Sequence, residues 1–373
     1  MVAQLSANGK DQLLAHFKAA GFDHVSPAIL QPADIFLDLA GEELRRRLFL
    51  TAGRDGAELC LRPDFTIPVC RQHMATGAAD RVAGYAYLGP VFRQRMAAAG
   101  EFPQAGIEWI GRTDLNEADA DTMALARDTL AVLGLTSPEI VIGDIGLFTG
   151  LLDALNLAPA WRRRLRDSLD DPARMEFWLA RMEAGPEDDQ QFPGISAALQ
   201  NDDPQTASGL VRDFMEIAGL SAVGGRSADE IAERFVEQVE LSAGGSEVRA
   251  AAQTIRAFLS VSGEPLAAIA QITQQAQQAG LDLTAASDRF RQRLDLLKAA
   301  GFDIDGLRFR ADFGRRLGYY TGFVFEMRAG DTGNDDPVLG GGRYDGLMTL
   351  LGAQSGVPAV GFSIWIDRLG DLT

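Results

Sequence analysis

The sequence predicts an α+β fold, an antiparallel sheet flanked by helices and interrupted by a helical insertion. Three observations carry this reading. Strand-like runs follow one another closely through the first part of the chain, which favours antiparallel or mixed pairing. From about residue 147 to residue 300 apolar side chains recur at helical spacing and strand signals almost vanish. Strand character then returns at 307–312, 320–327 and 359–366. The expected organisation is one core in two parts, 1–146 and 305–373, around an insertion at 147–304.

The elements can be justified in order. Residues 11–20 read as a helix, with Leu13, Leu14 and Phe17 on one face and Gly21 as its cap. Residues 22–30 read as extended, broken at Pro27 and closed by Pro32. Residues 36–52 read as a short charged helix, around Glu42–Arg47, leading into a strand. A strand at 58–63 and a helix at 66–75 follow, with Ile67 and Arg71 on adjacent turns. Strands at 85–92 and 102–111 flank a short loop. A helix at 116–133 carries Glu117, Asp119 and Asp121 near its start, as the helix dipole favours. Residues 138–144 are strand-like. In the insertion, Ser227 and Glu230 make a capping-box pattern before Ile231, Phe235 and Val239. Gly224-Gly225 and Gly244-Gly245 punctuate its helices. The segment Lys18–Asp23 recurs as Lys298–Asp303, which the local rules of helix, glycine cap and strand explain without a repeat.

With 373 residues, 46% of them hydrophobic and 23% charged, the chain can build a large core in two or three domains. A net charge of −17 offers no footprint for unspecific nucleic-acid binding. Cys60 and Cys70 have no metal-ligand spacing and read as buried thiols of a reducing compartment. His16, His24 and His73 are too scattered for a metal site, so neither metal nor cofactor is expected. No run reaches transmembrane length and no signal pattern opens the chain, so a cytoplasmic location without membrane contact is expected.

Chemistry concentrates in Gly89–Arg95 and Gly100–Glu108. Phe102, Gln104 and Glu108 share one face if their strand is regular. With Arg93 they could converge on one cleft. Guanidinium, amide and carboxylate together suit a small zwitterion.

Further motifs follow the same order along the chain. They are Leu61–Thr66, Gly89–Arg93, Gln104–Glu108, Arg315–Glu326, Gly340–Asp345 and Gly361–Leu369. Together they resemble the catalytic core of histidyl-tRNA synthetase, a class II aminoacyl-tRNA synthetase, over most of 1–145 and 305–373. The resemblance implies the class II antiparallel sheet flanked by helices. It also implies a self-dimer, with residues 22–30 in the position of the dimer-forming motif. It implies a histidine site as well. There Asp64 and Thr66 would hold the ammonium and Gln104 the amino acid. Glu108 would read the imidazole, and Arg93 and Arg315 would stand near the carboxylate. Tyr319 and Tyr320 would close the pocket.

The nucleotide half departs from that pattern. Arg95 stands where an acid would receive adenine, and guanidinium only donates. The loop at 96–101 is short and lacks a second arginine. Trp365 and Gly318 replace an expected glycine and aspartate, although Arg368 is kept. Thr373 stands only five residues past Arg368, so an anticodon-binding domain is not expected. In this combination the chain resembles the regulatory subunits of ATP phosphoribosyltransferase in histidine biosynthesis. That implies no catalysis of its own, no tRNA, and assembly with short-form catalytic subunits as a hetero-octamer. It also implies feedback regulation by histidine. A truncated histidine-activating ligase, supported by Arg93 and Arg368, and a histidine sensor for another partner are the competing readings.

Overall fold

The computed structural model describes residues 5–39, 45–77, 79–96, 98–184, 237, 240–241, 245–314, 319–330 and 336–369. These fall into two compact units, one of 1–148, 261–274 and 283–373 and the other of 149–260 and 275–282. The described part of the expected 147–304 insertion thus divides between them, with 261–274 and 283–304 in the first unit.

The first unit is built on a nine-stranded sheet. Its strands are β1 (Asp23–His24), β5 (Ala83–Phe92), β6 (Glu101–Ile110), β12 (Ala359–Trp365), β11 (Leu339–Arg343), β10 (Phe323–Arg328), β7 (Glu139–Asp144), β9 (Arg308–Arg310) and β8 (Ser262–Gly263), in that spatial order. The six strands from β5 to β7 pair antiparallel throughout. Parallel pairs appear only outside them, between β1 and β5 and between β7 and β9, so the whole sheet is mixed. A second sheet joins β2 (Leu30–Pro32), β4 (Glu58–Leu61) and β3 (Leu50–Ala52).

Helices α1 (Ala7–Ala19), α2 (Ala33–Leu39), α3 (Thr66–Met74), α4 (Leu115–Val132), α10 (Thr284–Ala299) and α11 (Gly346–Leu350) belong to the same unit. Alternation along β6 sends Ile107 to one face of the sheet and Phe102, Gln104 and Glu108 to the other. On the second face Phe65, Tyr87, Val91, Phe102, Tyr344 and Trp365 form one buried cluster. Phe65 stacks on Tyr87 at 4.4 Å, and the Arg62 guanidinium lies 4.0 Å from the Phe65 ring.

Several elements differ from the expectation. Residues 22–30 hold only the two-residue β1 before β2. Between them Pro27 is buried and its carbonyl accepts from Arg62 at 2.5 Å. Of the charged run 42–47, Arg45 is helical and Arg46 and Arg47 form a turn ahead of β3. α2 lies earlier, at Ala33–Leu39, and 40–44 fall outside the described residues. β11 (Leu-Gly-Gly-Gly-Arg) has no counterpart in the expectation, because glycine is a poor strand former.

The paired Lys18 and Lys298 segments share a helix cap. Gly21 and Gly301 take φ of +91° and +84°, and Phe22 and Phe302 each return a backbone bond at 3.0 Å to the residue five earlier. A strand follows Gly21 at once, whereas β9 starts only at Arg308. Ser227, Glu230, Ile231, Phe235 and Val239 lie outside the described residues.

The second unit includes α6 (Pro159–Arg166), α7 (Pro172–Ala184) and α8 (Ser246–Leu259), while α5 (Ile145–Ala154) and α9 (Pro265–Gln278) run from one unit into the other. Trp161 and Trp178 meet edge-on at 6.1 Å, and Arg256 bridges Glu176 and Glu183. No helix among the described residues is long and apolar enough to cross a membrane.

Candidate functional site

The strand register assembles the site. Opposite Glu108, Gly106 and Gln104 of β6 stand Tyr85, Tyr87 and Gly89 of β5. On the other side stand Gly361, Ser363 and Trp365 of β12. Two glycines keep the floor flat. A Cβ on Gly106 would collide with the Phe362 carbonyl and the Tyr87 hydroxyl. One on Gly361 would collide with the Glu108 carboxylate and the Ile107 carbonyl.

Glu108 is buried in a ring of hydroxyls. Its Oε1 accepts from Thr66 Oγ1 at 2.7 Å and from the Tyr87 hydroxyl at 3.2 Å, and its Oε2 accepts from the Tyr344 hydroxyl. The Tyr87 hydroxyl also lies 2.8 Å from Ser363 Oγ. Burial pushes the Glu108 carboxyl up to about 8, against the pull of these hydroxyls, and the charge of Asp64 adds to the push.

Asp64 sits just ahead of α3. Burial pushes it up to about 6, while Arg93 and the Ile67 amide pull it back. Neither of its oxygens makes a hydrogen bond of normal geometry, and Oε1 of Gln104 is likewise buried without a donor. Three acceptor oxygens at one site call for a group rich in N–H donors, as an ammonium is.

Arg93 is half-buried, and its Nε donates to the Pro63 carbonyl at 2.7 Å. Tyr319 and Tyr320 lie 5.0 Å apart, ring to ring, and both meet the Tyr344 ring edge-on, at 5.8 and 6.3 Å. They wall the side of the cleft that holds Glu108. Asp64, Thr66, Arg93, Gln104, Glu108, Tyr319 and Tyr320 therefore gather in one place. Arg315 and Gly318 lie outside the described residues.

Three contributors escaped the sequence reading: Tyr87, Ser363 and Tyr344. The signal for Tyr87 was its even spacing from Gly89 within β5. For Tyr344 it was membership of the Gly340–Asp345 motif.

The other end of the cleft is filled from within. Arg95 donates to Asp367 at 2.8 Å and lies 3.5 Å from the Phe102 ring. Arg368 donates to the Pro337 carbonyl at 2.6 Å and lies 4.6 Å from the Trp365 ring. Trp365 is buried directly across from Gln104. Among the described residues no group of three His, Cys, Asp or Glu could hold a metal.

The fold has solved counterparts. A Bacillus halodurans protein described as an ATP phosphoribosyltransferase regulatory subunit/histidyl-tRNA synthetase superposes with a TM-score of 0.64. It is 21% identical, with 98% of this chain and 78% of that one covered. A histidine–tRNA ligase subunit from Alicyclobacillus acidocaldarius gives 0.59 at 24% identity, over 98% and 91%. A histidyl-tRNA synthetase family profile matches residues 2–202 and 205–369. The ATP phosphoribosyltransferase regulatory subunit of Mesorhizobium japonicum is 42% identical over 357 residues, 95% of this chain and 94% of the relative. That of Brucella canis is 43% identical over 344 residues, 91% and 90%. This chain belongs to the family of ATP phosphoribosyltransferase regulatory subunits. Membership joins two findings above, the class II sheet and the arginines of this regulatory-subunit cleft turned onto Asp367 and Pro337.

Proposed function

We propose that this chain is a non-catalytic regulatory subunit that activates the short catalytic subunit of ATP phosphoribosyltransferase and makes the assembly responsive to histidine. The observation that carries the reading is the contrast between the two ends of one cleft. One end keeps buried acceptors at Asp64 beside a hydroxyl-ringed Glu108, with the unpartnered Gln104 oxygen between the two ends. The other is filled by Trp365 and by arginines bonded to the protein itself.

In this reading the ligand ammonium neutralises Asp64 and donates to Gln104. Glu108 accepts from an imidazole N–H, with Thr66 beside it. Arg93 and Arg315 face the carboxylate, and Tyr319 and Tyr320 close over the ring. ATP is excluded, because Arg95 cannot accept from adenine and Trp365 takes up space. The subunit pairs with itself, as the exposed Ile29 and Leu30 of the 22–30 region support. It joins catalytic subunits in a hetero-octamer in the cytoplasm. Histidine acts by binding one state of that assembly better than the other.

The test is an assay of short-form catalytic subunit with and without this protein, each with and without histidine. Activation by the protein, and inhibition of the activated complex by histidine, is expected. No complex and no activation overturns the proposal. Histidine-dependent ATP–pyrophosphate exchange by this chain alone would favour a ligase.

A further inference from the structure

A buried charge cluster lies behind the cleft, on the other side of β11. Asp119 of α4, fully buried, accepts at Oδ2 from Arg293 Nε (2.8 Å) and at Oδ1 from Arg343 Nε (2.8 Å). Arg293, on α10, also donates to Asp144 at 2.7 Å and to Asn116 at 3.2 Å. Arg343 reaches on to Asp345 at 2.9 Å and to the Leu115 carbonyl at 2.9 Å. Burying such a set seldom adds stability over apolar packing, and this one ties α4, α10, β7 and β11 together.

What it fixes is the residue between its ends. Arg343 and Asp345 bracket Tyr344, whose hydroxyl bonds Glu108. Tyr344 N donates to the Ala359 carbonyl at 2.8 Å, and Ala359 N returns a bond to Asp345 at 2.9 Å. The same strand end holds the chain just past the tyrosine pair. Thr321 N donates to the Arg343 carbonyl at 2.9 Å, and Asp345 N donates to Thr321 Oγ1 at 3.0 Å. Gly322 lies so close that a Cβ there would stand 3.1 Å from Arg343 Cδ. Arg343 and Asp345 thus tie Tyr344 to the chain that follows Tyr319 and Tyr320.

We propose that Arg293 is a positioning residue for the ligand pocket, acting from α10 through Asp119 and Arg343 on Tyr344 and on the Tyr319–Tyr320 segment. Among the described residues its side chain bonds Asn116, Asp119 and Asp144 and lies 4.8 Å from the Phe323 ring, so any effect on the ligand is indirect. The proposal rests on the histidine reading of the pocket. By linkage the influence runs both ways, so ligand binding is felt at α10.

Calorimetric titration of the full chain with histidine tests it. Arg293→Met should weaken binding by about 3- to 30-fold, the range found for residues coupled to a site without touching its ligand. Arg293→Lys should recover part of the loss. Arg293→Met combined with Tyr344→Phe should cost less than the product of the two single losses, because part of the Arg293 effect runs through the Tyr344 hydroxyl. A variant less stable to heat but binding histidine as the parent does would overturn the proposal, as would losses that simply multiply. Hydrogen exchange on the unaltered protein decides the matter if Arg293→Met fails to fold. Histidine should slow exchange along α10, and no change there counts against the proposal. If the parent binds no histidine, the pocket reading falls and this one with it. A parent that binds while Arg293 is indifferent sinks this one alone.

Discussion

Thr66 and Glu108 lie 42 positions apart in the chain and meet at 2.7 Å, hydroxyl to carboxylate, both side chains buried. Thr66 opens α3, Glu108 lies in β6, and two tyrosine hydroxyls complete the ring. The arrangement holds a carboxyl that burial would rather leave protonated. Its behaviour on titration and substitution therefore reports directly on the site.

Histidine binding should depend on pH in a defined sense. Glu108 titrates at about 8 in the empty site and Asp64 at about 6. A ligand that needs both charged must displace their protons. Affinity should rise with pH from about 6 to 8 as Glu108 ionises, by up to about tenfold per unit, and more steeply below 6, where Asp64 is protonated as well. Calorimetry in buffers of differing ionisation heat counts those protons. A flat profile with no proton release would contradict the roles given to the two acids.

Glu108→Gln should weaken histidine binding by at least about tenfold, the worth of one charge-assisted hydrogen bond. It should also stabilise the empty protein at pH 8. The folded-state value lies above the unfolded one, so the native state binds more protons between pH 4.5 and 8. Stability is lost as pH rises through that window, by about 1.4 kcal/mol per unit. Thermal melts at pH 5 and pH 8 test the second half: the stabilising effect should be small at the lower pH.

Gly361→Ala should destabilise the first unit by about 1–3 kcal/mol and abolish binding. The new methyl would meet the Glu108 carboxylate and the Ile107 carbonyl, neither of which is a free flexible end. Wild-type affinity in this variant would mean that Glu108 is not where the ligand is read.

The unaltered protein should show no calorimetric signal with ATP. Trp365→Gly with Arg95→Glu should open the far end of the cleft. Arg95 now pairs with Asp367 Oδ2, so the exchange also leaves two acids side by side, and the gain is expected only with magnesium present. Tight ATP binding by the parent would refute the view that these two residues block the nucleotide.

Legibility from the sequence followed the length scale of the interactions. The β5–loop–β6 hairpin was readable because alternation and a short loop are local, and they placed Gln104 and Glu108 on one face. Helix α3 was readable for the same reason. β11 was not, since Leu339–Arg343 is a strand only because β10 and β12 pair with it on both sides. Tyr87 and Tyr344 were hidden as partners of Glu108, because their contacts depend on a register spanning 21 and 236 positions. The charge cluster at Asp119 was invisible likewise. Its arginines come 174 and 224 positions later, and Asp119 read only as an ordinary acid near a helix start.

Gly106 and Gly361 also bear on how such a protein can change over evolutionary time. Every substitution at either position adds atoms where the backbone or the side chain of Tyr87 or Glu108 already stands. The floor can therefore only be lost, never retuned, by single mutations. If the pocket takes histidine as proposed, descendants that bound another metabolite would have to vary the walls, at Gln104, Tyr319 or Tyr320, while these two positions stayed still.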